Sequence, residues 1–223
     1  MYHFSESDMG HVFEKALLES KILKKYRLNV VERELVSHQG IPDFVAMHKL
    51  SDANKVVLFH PEASCKILAC LKKKSGRSIK YIKKTTGLSE YIIKKALKNL
   101  IETNLVNEDK ELFYFSSDMF ESDIWAFELK LADWKRAIFQ GLQYKAFATY
   151  SVTVFPMEKE KIIQTNINLF KKLNVGALIF DIETSKSKWL NKPLKSKPIS
   201  KWQKIYMHIK ILNSLDNNKN KGA

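Results

Sequence analysis

Apolar and polar positions in the first sixty residues follow a helical period and then a strand period. A helix capped by Ser7 or Asp8 is predicted to end at about Tyr26, and its apolar positions are Val12, Phe13, Ala16, Leu17, Ile22 and Leu23. Residues 28–37 and 41–49 alternate as two strands around a turn at Gln39-Gly40. A shorter strand is predicted over residues 55–59. The chain therefore begins with a helix and a β-hairpin.

The middle of the chain changes to helical spacing. Helices are predicted over residues 62–74, 78–85 and 90–103, the last capped by Ser89 after a turn that contains Gly87. The apolar stripe of the third helix comprises Ile92, Ile93, Ala96, Leu97, Leu100 and Ile101. Two short apolar runs, separated by a polar turn, then predict a second β-hairpin before residue 116.

The second half of the chain alternates strands with helices. Strands are predicted from Ile124 onwards, over residues 150–155 and over residues 177–181. A helix over residues 158–173 precedes the last of these strands. The helix between the first two strands has an apolar face made of Ala137, Phe139, Leu142, Ala146 and Phe147. This alternation is typical of an α/β sheet.

The 223-residue chain carries a formal net charge of +14. Such an excess implies an anionic partner, nucleic acid before a membrane surface, although lysines can also serve solubility alone. No apolar run reaches the roughly 20 residues of a membrane span, and the first residues do not resemble a secretion signal. Cys65 and Cys70 have neither disulfide nor zinc-ligand spacing. We therefore expect no membrane partner and a cytoplasmic, nucleoid-associated protein.

The composition changes again over residues 184–223, which hold ten lysines and one acidic residue. Trp189, Trp202 and Tyr206 are interleaved with these lysines, and a helix is predicted over residues 199–213. Basic residues with aromatic ones suit a tail that follows a nucleic acid. The alternative is a strap that packs its tryptophans against the core.

Charged side chains interrupt the first strand of the second half. Glu128 and Lys130 are two residues apart, so they point to the same face of a strand. Burying such a pair is costly unless partners are close, which favours a functional reason, although an ion pair at a sheet edge would be a structural one. Gln140 and Tyr144 lie one turn apart on the next helix, and Asp43 follows the turn of the first hairpin.

These residues carry a resemblance to a known family. Ile41-Pro42-Asp43-Phe44-Val45 and Glu128-Leu129-Lys130 resemble the split signature of the PD-(D/E)XK nuclease superfamily, and Gln140-x-x-x-Tyr144 resembles a motif of its RecB-like branch. The resemblance covers about residues 10–50 and 120–182. It implies an α/β (α+β) restriction-endonuclease-like fold, in which helices flank a mixed sheet.

The resemblance also implies a division of the chain. The nuclease-like core would comprise residues 1–60 and 116–183, and residues 184–223 would form a basic C-terminal extension. Residues 61–115 would be an insertion, because Asp43 and Glu128 are 85 positions apart, much further than is usual in the superfamily. The pairing of these two carboxylates therefore depends on how the fold closes.

The resemblance assigns a role to each matching residue. The implied catalytic residues are Asp43, Glu128, Lys130, Gln140, Tyr144 and Glu14. Asp43, Glu128, the Leu129 carbonyl and Glu14 would hold Mg²⁺, for which Mn²⁺ would substitute. Lys130 would position or deprotonate the attacking water, Gln140 would orient the lysine or the water, and Tyr144 would bond the phosphate. Glu14 can equally be an ordinary solvated glutamate.

Residues 61–115 resemble a winged helix-turn-helix domain, with three helices followed by a hairpin. Residues 62–110 hold 12 Lys and Arg against 5 Asp and Glu. The predicted DNA contacts are Lys83, Lys84, Tyr91, Lys94, Lys95 and Lys98. The third helix has few Arg, Asn or Gln residues, which predicts weak sequence preference. A winged helix used for protein contacts or internal packing is the alternative.

The resemblances, together with the basic charge, imply a metal-dependent deoxyribonuclease that binds duplex DNA, with endonuclease action favoured over exonuclease action. A non-catalytic DNA-binding protein or regulator on a degenerate nuclease fold is the main alternative, and an RNA-acting nuclease is a third. The resemblance also implies a homodimer, because duplex cutters of the superfamily often pair two active sites. A partner motor or recombination protein is a further expected partner, since the chain has no Gly-rich ATP-binding loop. DNA repair, mobile-element and phage-defence roles all fit this prediction.

Overall fold

A computed structural model describes residues 4–19, 22–23, 26, 28–48 and 56–219, the last five of them as backbone alone. The chain forms two compact units. Unit 1 comprises Met1–Ser51 and Ser122–Ile199, and unit 2 comprises Asp52–Glu121 and Ser200–Ala223. The segment predicted as a C-terminal extension is thus divided between the two units.

The helices and strands follow one another in a mixed order along the chain. In sequence they are α1 (Glu6–Leu18), β1 (Val30–Arg33), β2 (Phe44–Met47), α2 (Pro61–Cys70), α3 (Ile79–Thr86), α4 (Glu90–Glu102), β3 (Val106–Asp109), β4 (Leu112–Phe115), β5 (Ile124–Leu129), α5 (Trp134–Tyr144), β6 (Tyr150–Pro156), α6 (Glu160–Thr165), α7 (Ile167–Leu173), β7 (Gly176–Phe180), β8 (Ser187–Asn191) and α8 (Lys201–Lys219).

Unit 1 is built on a six-stranded mixed sheet with the order β1-β2-β5-β6-β7-β8. The central strands β5, β6 and β7 are parallel to one another, and β1, β2 and β8 pair in antiparallel fashion. Every residue of β2, β5, β6 and β7 is buried, as expected for strands that helices cover on both faces. The predicted mixed α/β class is confirmed.

Different helices cover the two faces of this sheet. Ser5, rather than the predicted Ser7 or Asp8, caps α1, because Ser5 and Asp8 exchange hydrogen bonds in a capping box. Phe13 of α1 packs its ring against those of Phe44, Phe127 and Phe180. The alternate strand residues, such as Phe155 and Ile179, pack against α5, α6 and α7 instead. Helices therefore cover both faces.

Three predicted elements differ in the structure. The helix α1 ends at Leu18 rather than near Tyr26, and residues 20, 21, 24 and 25 lie outside the described part. Residues 56–59 form no strand, and residue 55 is also outside it. The helix predicted over 158–173 is a 3₁₀ turn followed by α6 and α7, because the Asn166 side chain bonds to the Ile162 carbonyl at the break.

Unit 2 contains α2, α3, α4, the β3–β4 hairpin and α8. Ser78 and Ser89 cap α3 and α4, and Gly87 ends α3 with a φ of 71°, a conformation that favours glycine. Arg77, between α2 and α3, forms a two-bond backbone bridge with Phe113 of β4. The predicted helices and hairpin of this region are confirmed in order and type.

The C-terminal segment is more structured than predicted. β8 adds an antiparallel edge strand to the sheet of unit 1, and its Trp189 packs against the core there. Within unit 2, Ile205 and Ile209 of α8 join the core, and Trp202 packs beside them. Apolar burial thus favours the packed strap over the solvated tail. Among the described residues, no helix combines the length and the apolar character needed to cross a membrane.

Candidate active site

The register between β2 and β5 brings the first two candidate residues together. Phe44 pairs with Phe127 in this antiparallel ladder, so Asp43 and Glu128 occupy the next opposed positions. Asp43 Oδ2 accepts a hydrogen bond of 2.6 Å from the Leu129 backbone N–H. Strand pairing therefore brings the two carboxylates together, although they are 85 positions apart in the sequence.

Glu128 is almost completely buried, with 1% of its surface exposed. The Tyr144 hydroxyl, on α5, donates a hydrogen bond of 2.6 Å to Glu128 Oε2. Lys130 Nζ lies 3.0 Å from Glu128 Oε1. Each carboxylate oxygen of Glu128 therefore has one partner, which compensates part of the cost of burying its charge.

Close packing of α5 on the sheet places Tyr144 at this carboxylate. Asp133 caps α5 through the Arg136 backbone N–H. A Cβ atom at Gly141 would lie 3.0 Å from Val175 Cγ1 and 3.2 Å from Ser151 Oγ, so a larger residue would push the helix outward. Gly141 thus brings the following turn, with Tyr144, within reach of Glu128.

Lys130 is surrounded by oxygen atoms. Its Nζ lies 3.0 Å from the Leu129 carbonyl oxygen and 3.2 Å from Glu6 Oε2, in addition to Glu128. Burial lowers the pKa of Lys130, but the carboxylates of Glu128, Glu6 and Asp43 outweigh it and raise the pKa. The lysine is therefore held in its charged form.

Two neighbouring groups hold their protons more tightly than usual. Burial, and then the nearby Glu128 carboxylate, raises the pKa of Asp43 to about 6, although the Leu129 N–H and Lys130 act in the opposite direction. Burial, and then the hydrogen bond to Glu128, raises the pKa of Tyr144 far above its usual value. Tyr144 therefore stays protonated and acts as a donor.

Gln140 lies beside these groups with spare hydrogen-bonding capacity. Its side chain interacts with the Tyr144 hydroxyl. Its buried Oε1 has no hydrogen-bond partner among the described residues. A buried acceptor without a partner is uncommon, and it favours a bound water or ligand group at this place.

The structure brings a different first-helix carboxylate to the site than the predicted one. Glu14 pairs with Arg33 at 3.7 Å, and it lies about 12 Å along α1 from Glu6. Glu6 is the residue that reaches Lys130, and its Oε1 also accepts from the Leu131 N–H at 3.2 Å. The capping pattern Ser5-x-x-Asp8, which sets where α1 begins, was the signal in the sequence for this position.

Phe139 was predicted on the apolar face of α5, and this prediction was wrong. The buried residues of the helix are Ala137, Ile138, Gly141 and Tyr144. Phe139 has 62% of its surface exposed. The helix rotates so that glycine, rather than phenylalanine, lies against the sheet.

The predicted DNA contacts lie on the surface of unit 2. All six are exposed: Lys83, Lys84, Tyr91, Lys94, Lys95 and Lys98. Lys94 pairs with Glu90 at 2.7 Å, and Lys95 Nζ lies 4.7 Å from the centre of the Tyr91 ring. The sequence did not single out Arg77, whose guanidinium lies 4.7 Å from the centre of the exposed Tyr81 ring.

The donors at the site suit one class of metal. Asp43, Glu128 and the Leu129 carbonyl are hard oxygen ligands. Among the described residues, no group of three or more Asp, Glu, His or Cys side chains could hold a metal ion. Mg²⁺ needs only one or two carboxylates because it retains waters, whereas structural zinc needs four protein ligands. A cation would also relieve the repulsion that helps raise the pKa of Asp43.

Comparisons with known proteins add no assignment to this geometry. No protein-family model matches the chain, and neither the curated proteins nor the solved structures contain a match. The function is therefore inferred from the residues and their arrangement.

Proposed function

We propose that the protein is a metal-dependent nuclease that hydrolyses phosphodiester bonds in DNA. The observation that carries this proposal is the convergence of Asp43, Glu128, Lys130 and Tyr144 at the end of β5. Phosphodiester hydrolysis needs oxygen ligands for a cation and a positive charge near the reacting phosphate. The resemblance to the PD-(D/E)XK superfamily supports a restriction-endonuclease-like fold for unit 1, in which these residues have matching positions.

Asp43, Glu128 and the Leu129 carbonyl are the groups that would hold Mg²⁺ or Mn²⁺. When bound, such a cation lowers the pKa of its water and offsets negative charge on the phosphate. The Leu129 N–H fixes one oxygen of Asp43, and Tyr144 fixes one oxygen of Glu128. The protein thus orients both carboxylates before any ligand arrives.

Lys130 acts as a fixed cation in this proposal. Its raised pKa favours donation of hydrogen bonds to the attacking water or to a phosphate oxygen over removal of a proton from the water. Glu6 contacts the same lysine nitrogen as Glu128, so Glu6 is a positioning residue. Glu6 takes the place in the site that the sequence suggested for Glu14.

Tyr144 and Gln140 have different roles in this proposal. The proton of Tyr144 is committed to Glu128, which makes Tyr144 a positioning residue rather than a phosphate ligand. The unpartnered Oε1 of Gln140 is an acceptor that can orient a water or the lysine.

We also propose that unit 2 contains a winged helix that binds duplex DNA. The order α2, α3, α4 and hairpin supports this proposal, and so does the Arg77–Phe113 bridge, which joins the segment before α3 to the hairpin. The exposed lysines of α3 and α4 suit phosphate contacts.

The test is cleavage of plasmid, linear duplex, single-stranded and branched DNA and structured RNA, with Mg²⁺ or Mn²⁺. We expect wild-type protein to cut DNA and the variants Glu128→Gln and Lys130→Ala to bind it without cutting. Glu160→Gln is the matched control, because Glu160 also pairs with a lysine of unit 1, Lys188, at 2.6 Å.

The exposed cations of unit 2 favour a second candidate, a DNA-binding protein without catalysis. Wild-type protein that binds the panel but cuts nothing, even with Mn²⁺, would establish it and refute the nuclease. Cleavage confined to the structured RNA would assign an RNA-acting nuclease instead.

A further inference from the structure

The outward face of α5 carries cationic and aromatic side chains next to the candidate active site. We infer that this α5 patch, made of Lys135, Arg136 and Phe139, binds an unpaired strand of the nucleic acid substrate. The inference rests on the proposed nuclease function and adds a class of substrate to it: DNA with unpaired nucleotides beside the cleavage position.

The exposure of Phe139 is the first observation behind the α5 patch. At 62%, it is the most exposed large apolar side chain on any described helix of unit 1. Single exposed apolar residues are common, so exposure alone assigns nothing. Phe139 differs because it is aromatic and because Lys135 and Arg136 lie one turn before it on the same helix. Aromatic rings beside cations are the usual platform for unpaired bases.

The position of Arg136 is the second observation. Arg136, Gln140 and Tyr144 are spaced four residues apart, so they follow one ridge of α5. This ridge begins at Tyr144, which bonds to Glu128, and reaches Arg136 about 12 Å away. The Tyr144 end of this ridge is buried and the Arg136 end is exposed. A strand that leaves the site can therefore follow the ridge from Gln140 to Arg136, with Phe139 beside Gln140.

Among the described residues, neither cation of the α5 patch forms an ion pair. The Arg136 guanidinium makes no ion pair or hydrogen bond among the described residues, and Lys135 Nζ lies 5.7 Å from the centre of the Trp134 ring. The nearest acid on the helix, Asp133, accepts from the Arg136 backbone N–H as the helix cap. The patch is thus complementary to a phosphate backbone.

The aromatic ring selects the unpaired strand over the duplex. In a duplex the faces of the bases are covered by their neighbours, whereas an unpaired base can lie flat on an exposed ring. Phe139 offers no hydrogen bond, so it contributes little to binding the backbone of a duplex.

The experiment measures binding of a labelled short oligothymidine and of a labelled duplex by fluorescence anisotropy, with EDTA present to prevent cleavage. We expect Phe139→Ala to weaken oligothymidine binding at least about fivefold and to leave duplex binding unchanged. Phe139→Tyr keeps the ring and should bind like wild type. Ile162→Ala, which shortens an exposed side chain of α6, is the control and should have no effect.

Arg136→Gln tests the cationic half of the α5 patch. For oligothymidine, the slope of log affinity against log salt should fall by about 0.7, the value for one lost phosphate contact on a single strand. Lys171→Gln, which removes an exposed cation from α7, should leave the slope unchanged.

The outcomes distinguish this inference from the proposed function. An unchanged oligothymidine affinity in Phe139→Ala, or an equal loss on duplex, overturns the α5 patch, while metal-dependent cutting by wild type would leave the nuclease standing. Wild-type protein that binds no nucleic acid overturns both. Because Phe139 is exposed, its removal should leave the far-UV circular dichroism unchanged, and Phe139→Tyr covers the case in which alanine does not fold.

Discussion

Replacing Asp43 by asparagine should make unit 1 more stable at neutral pH and should also abolish metal-dependent cleavage. The carboxylate of Asp43 lies opposite Glu128, and burial together with that neighbour raises its pKa to about 6. Asparagine keeps an oxygen that can accept from the Leu129 N–H, but it carries no charge. The variant therefore removes the repulsion and retains the hydrogen bond.

The direction and size of this effect follow from proton linkage. The pKa of Asp43 rises from 3.8 to about 6 on folding, so between these values the folded state binds more protons than the unfolded one. The stabilisation of the folded state by protonated Asp43 is complete below about pH 4. It is lost as the pH rises through about 6 and the carboxyl group loses its proton in the folded state. At about 1.4 kcal/mol per pKa unit this gives about 3 kcal/mol, which solvent screening of the partly exposed Asp43 reduces to about 2 kcal/mol.

The assay is urea unfolding followed by tryptophan fluorescence in a Trp202→Phe background. The three remaining tryptophans, Trp125, Trp134 and Trp189, all belong to unit 1, so the signal reports that unit alone. We expect Asp43→Asn to be more stable than its parent by about 2 kcal/mol at about pH 8 and equal to it near pH 4. Mg²⁺ at about 100 times its Kd should stabilise the parent by about 2.7 kcal/mol and the variant much less.

Three results would each refute a part of this reasoning. If the two proteins are equally stable at about pH 8, the repulsion between Asp43 and Glu128 does not strain the fold. If the difference persists unchanged near pH 4, it comes from packing rather than from charge. Mg²⁺ that stabilises both proteins equally would place its binding elsewhere.

Three further substitutions test how the site is supported. Tyr144→Phe removes the hydrogen-bond donor to the buried Glu128. It should lower the free energy of unfolding by about 1.5–3 kcal/mol, measured by urea unfolding, and lower kcat, measured by plasmid cleavage. An unaltered free energy of unfolding would contradict this role of Tyr144. Gly141→Ala places a Cβ 3.0 Å from a valine methyl group. It should lower the free energy of unfolding by about 1–2 kcal/mol and slow cleavage. A wild-type cleavage rate would show that the helix moves without affecting the site. Glu6→Gln removes a charge that raises the pKa of the site lysine, so the alkaline limb of the pH–rate profile should move to lower pH; a limb that does not move would exclude Glu6 from this role.

The buried elements of the fold were predictable because their sequence patterns are unambiguous. β7 is a continuous apolar run, and β5 and β6 are apolar except at Glu128, Ser151 and Thr153. The caps Ser78 and Ser89 mark α3 and α4. β8 was missed because an edge strand is only half buried, and the residues Ser187–Asn191 are as polar as a loop. The break at Asn166 was missed because the apolar period continues through it, from Ile163 to Ile167.

The contacts of the candidate site that follow from residue spacing in a strand were predictable. The contacts that depend on where a helix begins, or on the rotation of a helix about its axis, were not. Two-residue spacing places Glu128 and Lys130 together whatever the rest of the fold does. Glu6 reaches the site only because α1 starts after Ser5. Phe139 faces outward because α5 packs on the sheet through the helix face that carries Gly141. Contacts of this kind depend on tertiary packing, which a local pattern does not contain.

The long insertion between Asp43 and Glu128 is compatible with a preformed site because of where it leaves and re-enters the sheet. β2 and β5 pair directly over four residues each, so the insertion replaces the turn of an antiparallel pair. Closing a flexible loop of this length, rather than a tight turn, costs only about 2–3 kcal/mol, since the cost grows with the logarithm of length. Unit 2 has its own hydrophobic core and is not a flexible loop, so the actual cost is smaller. The register that sets Asp43 against Glu128 is fixed instead by the apolar residues of β2 and β5. A slip of one residue would place the two carboxylates on opposite faces of the sheet, and it would remove Phe44 or Phe127 from its packing against Phe13.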